Sequence, residues 1–231
     1  MRESGAVSVV WLFDMDDTLH DASWRVFPQM NIEMTQYIVR HLGVDEATAG
    51  RLRVDFWRRY GATLLGLVHE HGVRAEHFLA ETHRFPQLEA MLRADRSERA
   101  ALRALPGRKL VLTNAPRDYA LRVLRHCALL RGFDDVVSIE DMRQCGRLRP
   151  KPDVRGLRAV LRRARLRPAQ CVLVEDTLQH LRAARRVGLR TVWYTRYSAR
   201  GARLRHGRPA YVHARIGTLW DLPKPPKPLP R

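Results

Sequence analysis

The stretch VSVVWLFDMDDTLH, residues 7–20, decides the fold of this chain. Its first seven residues are a largely apolar run of the length of a buried strand. Asp14 and Asp16 follow at once, so they lie where a strand ends, the edge of an open α/β sheet at which ligands bind. Because burying two neighbouring carboxylates is costly, we expect either a cation between them or one shared proton.

Strands and helices alternate in the second half of the chain. Candidate helices at residues 117–127, 152–165 and 177–187 separate candidate strands at residues 109–114, 136–139, 171–176 and 190–195. This alternation predicts an α/β fold with a Rossmann-like, doubly wound parallel sheet.

Helical periodicity without any strand pattern fills the segment between the first two strands, which predicts an inserted all-helical cap domain. We expect the catalytic core to comprise residues 1–20 and 100–222 and the cap to comprise residues 21–99. The Pro-rich tail, residues 223–231, is expected to stay extended or disordered.

The formal charge is +18, from 42 Lys and Arg against 24 Asp and Glu. Such a charge attracts polyanions, which leaves open a second class of function, a basic nucleic-acid-binding or scaffold protein on the same fold. The basic residues are mostly arginines spread over the predicted helices, so a compositional preference for arginine is the favoured interpretation.

The sequence shows no apolar run of the roughly 18 residues that a membrane span needs, so we expect no membrane association. The three cysteines form no CxxC pair, which is typical of reduced thiols. We therefore expect a cytoplasmic protein.

Carboxylates follow two of the predicted strands. Asp14 and Asp16 come after the first strand, and Glu175 and Asp176 end a later one. Hard oxygen ligands of this kind suit Mg²⁺, which binds through one or two protein carboxylates together with substrate phosphate. The sequence thus predicts a magnesium site.

Groups that can hold phosphate come from two further positions. Thr113 and Asn114 end the second predicted strand, and Lys151 precedes a predicted helix. A hydroxyl, an amide and an ammonium can each donate to phosphate oxygens. Together with the carboxylates, one of which is available to attack phosphorus, they indicate a phosphoryl-transfer site for a small phosphomonoester.

These residues resemble the haloacid dehalogenase-like hydrolase superfamily. The sequence DMDDT at residues 14–18 matches its DxDxT signature. Thr113, Lys151 and the pair Glu175-Asp176 match its second, third and fourth motifs, in order, over residues 7–195. One branch of the superfamily inserts a helical cap at the place of residues 21–99.

The resemblance implies a phosphatase that acts through an aspartyl-phosphate. Asp14 would be the nucleophile, and Asp16 would protonate the leaving oxygen and then activate the hydrolytic water. Thr113 would hydrogen-bond the phosphoryl group, and Lys151 would offset the charge between Asp14 and phosphate. Dehalogenases of the superfamily lack the second carboxylate, so Asp16 favours phosphate chemistry.

The resemblance also implies a Mg²⁺ cofactor. Asp14, the backbone carbonyl of Asp16, and Asp176 would hold the metal, and Glu175 would act through water. His180 stands four residues after Asp176, where the fourth motif usually has Asn or Asp, so the metal affinity is in question. Tyr119, where relatives often have His, either alters specificity or packs in the core.

A narrower resemblance concerns the predicted cap. The sequence YGATLLGL at residues 60–67 is similar to a YGxTLxGL stretch of the pyrimidine 5′-nucleotidase branch. It implies a pyrimidine nucleoside 5′-monophosphate as substrate, with Tyr60 and Thr63 as candidate substrate contacts; packing within a turn of the cap is the alternative. Another small phosphomonoester, a sugar phosphate or phosphoglycolate, stays open as the substrate.

Overall fold

A computed structural model of the chain describes residues 9–197 and 207–222. The first two residues of the predicted strand 7–13 and the whole Pro-rich tail, residues 223–231, lie outside the described residues. The residues Ala22–Leu92 form one compact unit, here called the helical unit, and the rest of the described chain forms a second, the sheet unit.

Six parallel strands make up the sheet of the sheet unit. They are β1 Val10–Phe13, β2 Arg108–Leu112, β3 Asp135–Val137, β6 Cys171–Glu175, β7 Arg190–Tyr194 and β8 Ala214–Ile216. Their order across the sheet is β3-β2-β1-β6-β7-β8. Strands β2 and β3 lie on one side of β1, and the later strands β6, β7 and β8 lie on its other side. The strand order therefore reverses between β1 and β6. This confirms the Rossmann-like α/β fold and marks the β1–β6 boundary as the ligand-binding crevice expected of it.

A small antiparallel hairpin interrupts this alternation. It consists of β4 Arg143–Gln144 and β5 Arg147–Leu148, joined by a two-residue turn. Both turn residues, Cys145 and Gly146, have positive φ angles of 50° and 74°. Such a pair matches the twist of a tight hairpin, and glycine takes this conformation without steric cost.

Four α-helices belong to the sheet unit. They are α6 Arg96–Ala104, α7 Arg117–His126, α8 Val154–Arg163 and α9 Leu178–Val187. In α8, the apolar residues Leu157, Val160 and Leu161 are buried, whereas Arg158 and Arg162 are exposed. The three- and four-residue spacing of the apolar positions produces this division, and it places the arginines of the helix toward solvent.

The helical unit contains five helices, α1 Ala22–Leu42, α2 Glu46–Tyr60, α3 Thr63–His71, α4 Ala75–Thr82 and α5 Leu88–Met91. Asp45 caps α2 by accepting a hydrogen bond from the backbone N–H of Thr48 at 2.8 Å. Gly61 ends the same helix at a φ of 81°. A Cβ at Gly66 would lie 2.3 Å from the ring of Phe56, so this glycine permits the close approach of α3 to α2.

The helical unit ends at Leu92, before the expected boundary at residue 99. Helix α6 belongs to the sheet unit, where the buried side chain of Glu98 accepts hydrogen bonds from Thr218 and from the backbone of Leu219. Among residues 9–197 and 207–222, no helix has the length and apolar character of a membrane span.

Candidate active site

The register of the central strands sets the position of Asp14. Phe13, the last residue of β1, pairs with Val111 on one side and with Val174 on the other. The backbone N–H of Asp14 donates to the carbonyl of Val174 at 2.9 Å, so the sheet hydrogen bonding continues to the nucleophile candidate itself. Asp14 therefore lies beside Glu175 at the carboxyl ends of the two strands between which the strand order reverses.

Lys151 joins these two carboxylates. Its ammonium lies 2.6 Å from Asp14 Oδ1 and 2.8 Å from Glu175 Oε2, and its side chain is 1% exposed. Burial by itself lowers the pKa of Lys151, but the two carboxylates outweigh burial and hold this pKa above its ordinary value. The lysine is thus charged, and it offsets part of the negative charge of the site.

Asp14, Glu175 and Asp176 form a carboxylate cluster, in which one oxygen of each lies within 4.8 Å of the others. Burial and the charge of Glu175 raise the pKa of both Asp14 and Asp176 well above the ordinary value. Burial alone would raise the pKa of Glu175 too, but Lys151 and His180 hold it well below its ordinary value. Three carboxylates against one ammonium leave an excess of negative charge, and this hard-oxygen donor set fits a divalent cation such as Mg²⁺.

Thr113 and Asn114 follow β2 in the neighbouring position. The backbone of Thr113 continues the sheet by donating to Val137 at 2.9 Å, and its hydroxyl accepts from the N–H of Ala115 at 3.0 Å. The amide of Asn114 contacts the backbone of Lys151 on both sides: Nδ2 donates to the carbonyl at 2.8 Å, and Oδ1 accepts from the N–H at 2.9 Å. Asn114 thereby orients the segment that carries the lysine.

The segment that carries Lys151 is also held from the helix that follows it. Asp153 caps α8 by accepting from the N–H groups of Arg155 and Gly156 at 2.7 and 3.0 Å, and it pairs with Arg149 at 2.9 Å. A Cβ at Gly156 would lie 1.9 Å from the carbonyl oxygen of Arg149, so only glycine fits there. These contacts stabilise the backbone on either side of the lysine.

Asp16 lies in a tight turn after β1, and two buried side chains contact it. The hydroxyl of Tyr119 donates to Asp16 Oδ1 at 2.8 Å, and Nε2 of His20 lies 2.8 Å from the same oxygen. Burial and the charge of Asp16 raise the pKa of Tyr119 well above its ordinary value, so the phenol stays protonated. The contact of Tyr119 leaves no local pattern in the sequence, since Tyr119 and Asp16 are 103 positions apart.

Residues 10–188 match the haloacid dehalogenase-like hydrolase family. This chain is a member of that family. Membership makes the protein a hydrolase of the haloacid dehalogenase-like type. The matched residues include the DxDxT segment, Lys151, Glu175 and Asp176.

Solved structures of the same fold include several members of this family. A HAD phosphatase from Thermococcus onnurineus is 20% identical, with 93% of this chain and 95% of that chain covered at a TM-score of 0.59. CbbY from Rhodobacter sphaeroides, solved in complex with phosphate, is 19% identical, with 93% and 96% covered at a TM-score of 0.63. L-2-haloacid dehalogenase from Xanthobacter autotrophicus is 17% identical, with 93% and 96% covered at a TM-score of 0.55.

His180, one departure from the motifs of the family, contacts the carboxylate cluster. Its Nδ1 lies 3.0 Å from Glu175 Oε2, the oxygen that Lys151 also contacts. The residue therefore places a second nitrogen beside Glu175.

Two candidate substrate residues of this family member lie in the helical unit, and both have partners there. The hydroxyl of Tyr60 donates to Glu70 at 2.6 Å. The hydroxyl of Thr63 donates to the backbone carbonyl of Arg53 at 2.9 Å, and its residue is buried. These contacts hold the turn between α2 and α3 in place.

Proposed function

We propose that this chain is a Mg²⁺-dependent phosphomonoester hydrolase that acts through an aspartyl-phosphate on Asp14. The observation that carries the proposal is the contact of Lys151 with Asp14 inside a cluster of three carboxylates. A nucleophilic carboxylate, a buried ammonium and a cation site at one sheet edge are what phosphoryl transfer requires. The carboxylate of Asp16, two residues from the nucleophile, favours phosphate esters over carbon–halogen bonds.

In the first step, a carboxylate oxygen of Asp14 forms a bond to phosphorus as the bond from phosphorus to the ester oxygen breaks. Asp16 gives its proton to the departing oxygen, which leaves as an alcohol. Lys151, which already contacts Asp14 Oδ1, offsets the repulsion between the nucleophile and the phosphate. The products of this step are the free alcohol and the phosphorylated Asp14.

In the second step, Asp16 takes a proton from water as the water oxygen bonds to phosphorus and the bond to Asp14 breaks. Inorganic phosphate leaves, and both carboxylates return to their starting states. Thr113, whose hydroxyl lies at the end of β2, hydrogen-bonds the phosphoryl group in both steps.

Asp14, the backbone carbonyl of Asp16, and Asp176 would hold Mg²⁺, and Glu175 would contribute through water. The ion would supply positive charge that offsets the charge of phosphate oxygens and carboxylates. The residues fit this ion because their oxygens converge, and because burial and then the charge of Glu175 raise the pKa of Asp14 and of Asp176, a cost that a cation would relieve.

The substrate class proposed is a pyrimidine nucleoside 5′-monophosphate. Its support is the similarity of residues 60–67 to the pyrimidine 5′-nucleotidase branch, and Tyr60 and Thr63 are proposed as substrate contacts on that basis. Among the structures of similar fold, CbbY is described with phosphate. A sugar phosphate or phosphoglycolate is the alternative substrate.

The test is phosphate release with Mg²⁺ from UMP, CMP, dUMP, dTMP, AMP, GMP, phosphoglycolate and hexose phosphates. Asp14→Asn is run alongside, and Asp221→Asn serves as the matched control because Asp221 is exposed and outside the site. We expect turnover confined to pyrimidine nucleotides, lost in Asp14→Asn and retained in Asp221→Asn. Turnover of other esters would still support the proposed mechanism but would contradict the proposal that the substrate is a pyrimidine nucleotide.

A readout on the protein separates chemistry from substrate choice. Acid quenching during turnover of ³²P-labelled substrate should trap label on the wild-type chain and none on Asp14→Asn. A folded protein that neither releases phosphate from any ester nor binds Mg²⁺ would contradict the proposed function.

A further inference from the structure

Asp16 is held through one oxygen only. Both contacts of its carboxyl group with the described residues are made by Oδ1, which lies 2.8 Å from the Tyr119 hydroxyl and 2.8 Å from His20 Nε2. The side chain of Asp16 keeps 15% of its surface exposed, whereas that of His20 has none. One oxygen of this carboxyl group is thus anchored in the protein, and the group still has exposed surface.

The direction of these hydrogen bonds follows from the groups involved. A carboxylate oxygen can only accept, so the phenol O–H of Tyr119 and an Nε2–H of His20 are the donors. An oxygen that already accepts two hydrogen bonds has little capacity left to carry a proton. When Asp16 takes up a proton, that proton therefore belongs on Oδ2.

The two donors come from rigid parts of the sheet unit. Tyr119 lies in the first turn of α7 and is 2% exposed. His20 ends the turn after β1, in which the N–H of Leu19 donates to the carbonyl of Met15 at 2.8 Å, and it forms a backbone bridge with Asp16. Neither donor can move without disturbing the packing around it, which limits the rotation of the Asp16 carboxyl group.

We propose that Tyr119 and His20 are positioning residues that hold Asp16 by Oδ1 and so assign the transferable proton to Oδ2. This inference rests on the proposed function, in which Asp16 protonates the leaving oxygen. A fixed carboxyl group delivers its proton along one direction, and a misplacement of about 1 Å costs on the order of 100-fold in rate. The two residues act through Asp16 and do not touch the phosphate ester in this proposal.

The test compares two substrates of similar shape, p-nitrophenyl phosphate and p-nitrobenzyl phosphate. The phenolate leaves without a proton, whereas the benzyl alkoxide needs one. In Tyr119→Phe, kcat/KM for the benzyl ester should fall by about 100-fold, while kcat/KM for the phenyl ester should stay within about 3-fold. Because kcat/KM reports the steps through departure of the alcohol, slow hydrolysis of the aspartyl-phosphate does not mask the effect.

Variants of His20 test whether a replacement hydrogen-bond donor restores the role of this residue. His20→Leu removes the donor and should lower the benzyl-to-phenyl ratio of kcat/KM, whereas His20→Gln keeps an N–H donor of similar reach and should restore part of that ratio. Tyr194→Phe is the matched control, since it deletes the hydroxyl of another buried tyrosine of the sheet unit, on β7. It should leave the ratio unchanged.

An equal fall in kcat/KM for both esters in Tyr119→Phe would mean that the hydroxyl only stabilises packing. An unchanged kcat/KM for the benzyl ester would mean that Asp16 does not need the hydrogen bond from Tyr119. Either result overturns the proposal while Asp14→Asn still tests the proposed function separately. A crystal structure of Tyr119→Phe gives a readout independent of turnover: we expect the Asp16 carboxyl group to adopt a second rotamer, and an unchanged rotamer would overturn the proposal.

Discussion

The ammonium of Lys151 lies 2.6 Å from Asp14 Oδ1, although 137 positions separate the two residues along the chain. Both groups are buried, and a buried ion pair is favourable only where its remaining hydrogen bonds are satisfied. Glu175 accepts a second hydrogen bond from the lysine at 2.8 Å, so one ammonium is shared by two carboxylates. Removing Lys151 leaves two buried carboxylates without the ammonium that they share.

Lys151→Met should therefore reduce both catalysis and stability. We expect kcat to fall by about 100- to 1,000-fold because charge at the phosphoryl group is no longer offset. The free energy of unfolding should fall by about 3 kcal/mol at neutral pH, since the carboxylates lose their partner. Phosphate release and urea denaturation measure the two effects. The control is Lys109→Met, which removes a lysine whose ammonium donates to the backbone carbonyls of Leu105 and Gly107, and it should retain kcat. Full activity of Lys151→Met would contradict the assigned role.

Asp176→Asn should weaken Mg²⁺ binding by at least about 10-fold, because it removes one charged oxygen ligand from the cluster. The measurement is the rise in melting temperature with added Mg²⁺, which reports binding to the folded state without requiring turnover. Asp221→Asn should show the wild-type dependence on Mg²⁺. An unchanged Mg²⁺ affinity in Asp176→Asn would place the cation elsewhere.

Asn114→Ala tests whether this amide orients Lys151 or contacts substrate. Loss of its two hydrogen bonds to the Lys151 backbone should lower kcat by about 10- to 100-fold with little change in KM. Asn114→Asp keeps an acceptor for the N–H of Lys151 and loses the donor, so its kcat should be intermediate. A raised KM with unchanged kcat would instead indicate that Asn114 binds the substrate directly.

Glu98→Ala should destabilise the sheet unit, because its carboxylate joins α6 to the segment after β8. Glu98 is 3% exposed and accepts from the Thr218 hydroxyl at 2.8 Å, the Leu219 N–H at 2.7 Å and Arg196 at 3.2 Å. We expect the free energy of unfolding to fall by about 2–4 kcal/mol. Urea denaturation measures it, with the exposed residue Glu140 changed to Ala as the control at about 1 kcal/mol or less. If Glu98→Ala lowers the free energy of unfolding by less than the control does, the buried contacts of Glu98 make no net contribution to stability.

Only one of the three cysteines should react readily with a thiol reagent. Cys145 is exposed in the hairpin turn, whereas Cys127 and Cys171 are buried. Burial raises the pKa of both buried thiols to about 11, so at pH 8 about one thiol in a thousand is ionised in each. Titration with DTNB should find one fast thiol in the folded protein and three in denaturant, and Cys145→Ser should abolish the fast phase. Rapid reaction of Cys145→Ser with DTNB would show that the region around Cys127 or Cys171 opens easily. The reaction of these two buried thiols should accelerate as the pH rises toward 11, because the thiolate forms there.

Some features of the fold gave no local signal. The strands β4 and β5 have two residues each, too few to show alternation, and β8 has three. The sequence also did not show that the sheet unit begins after Leu92. Helix α6 has the same helical periodicity as the helices of the helical unit, and contacts with distant segments, such as those of Glu98 with Thr218 and Leu219, connect it to the sheet unit. Periodicity identifies an element, whereas its partner depends on contacts that are distant in sequence.

The sequence by itself determined the parallel α/β fold. It also predicted that Asp14, Thr113 and Glu175 lie at one edge of the sheet, because each ends an apolar run and parallel strands end at a common edge. Only the tertiary structure decided which atoms meet. Three contacts depend on strand register, loop paths and side-chain rotamers. Lys151 is shared by Asp14 and Glu175, Asn114 binds the backbone of Lys151, and Tyr119 donates to Asp16. These are set by packing between segments far apart in the chain, which a local pattern of residues does not encode.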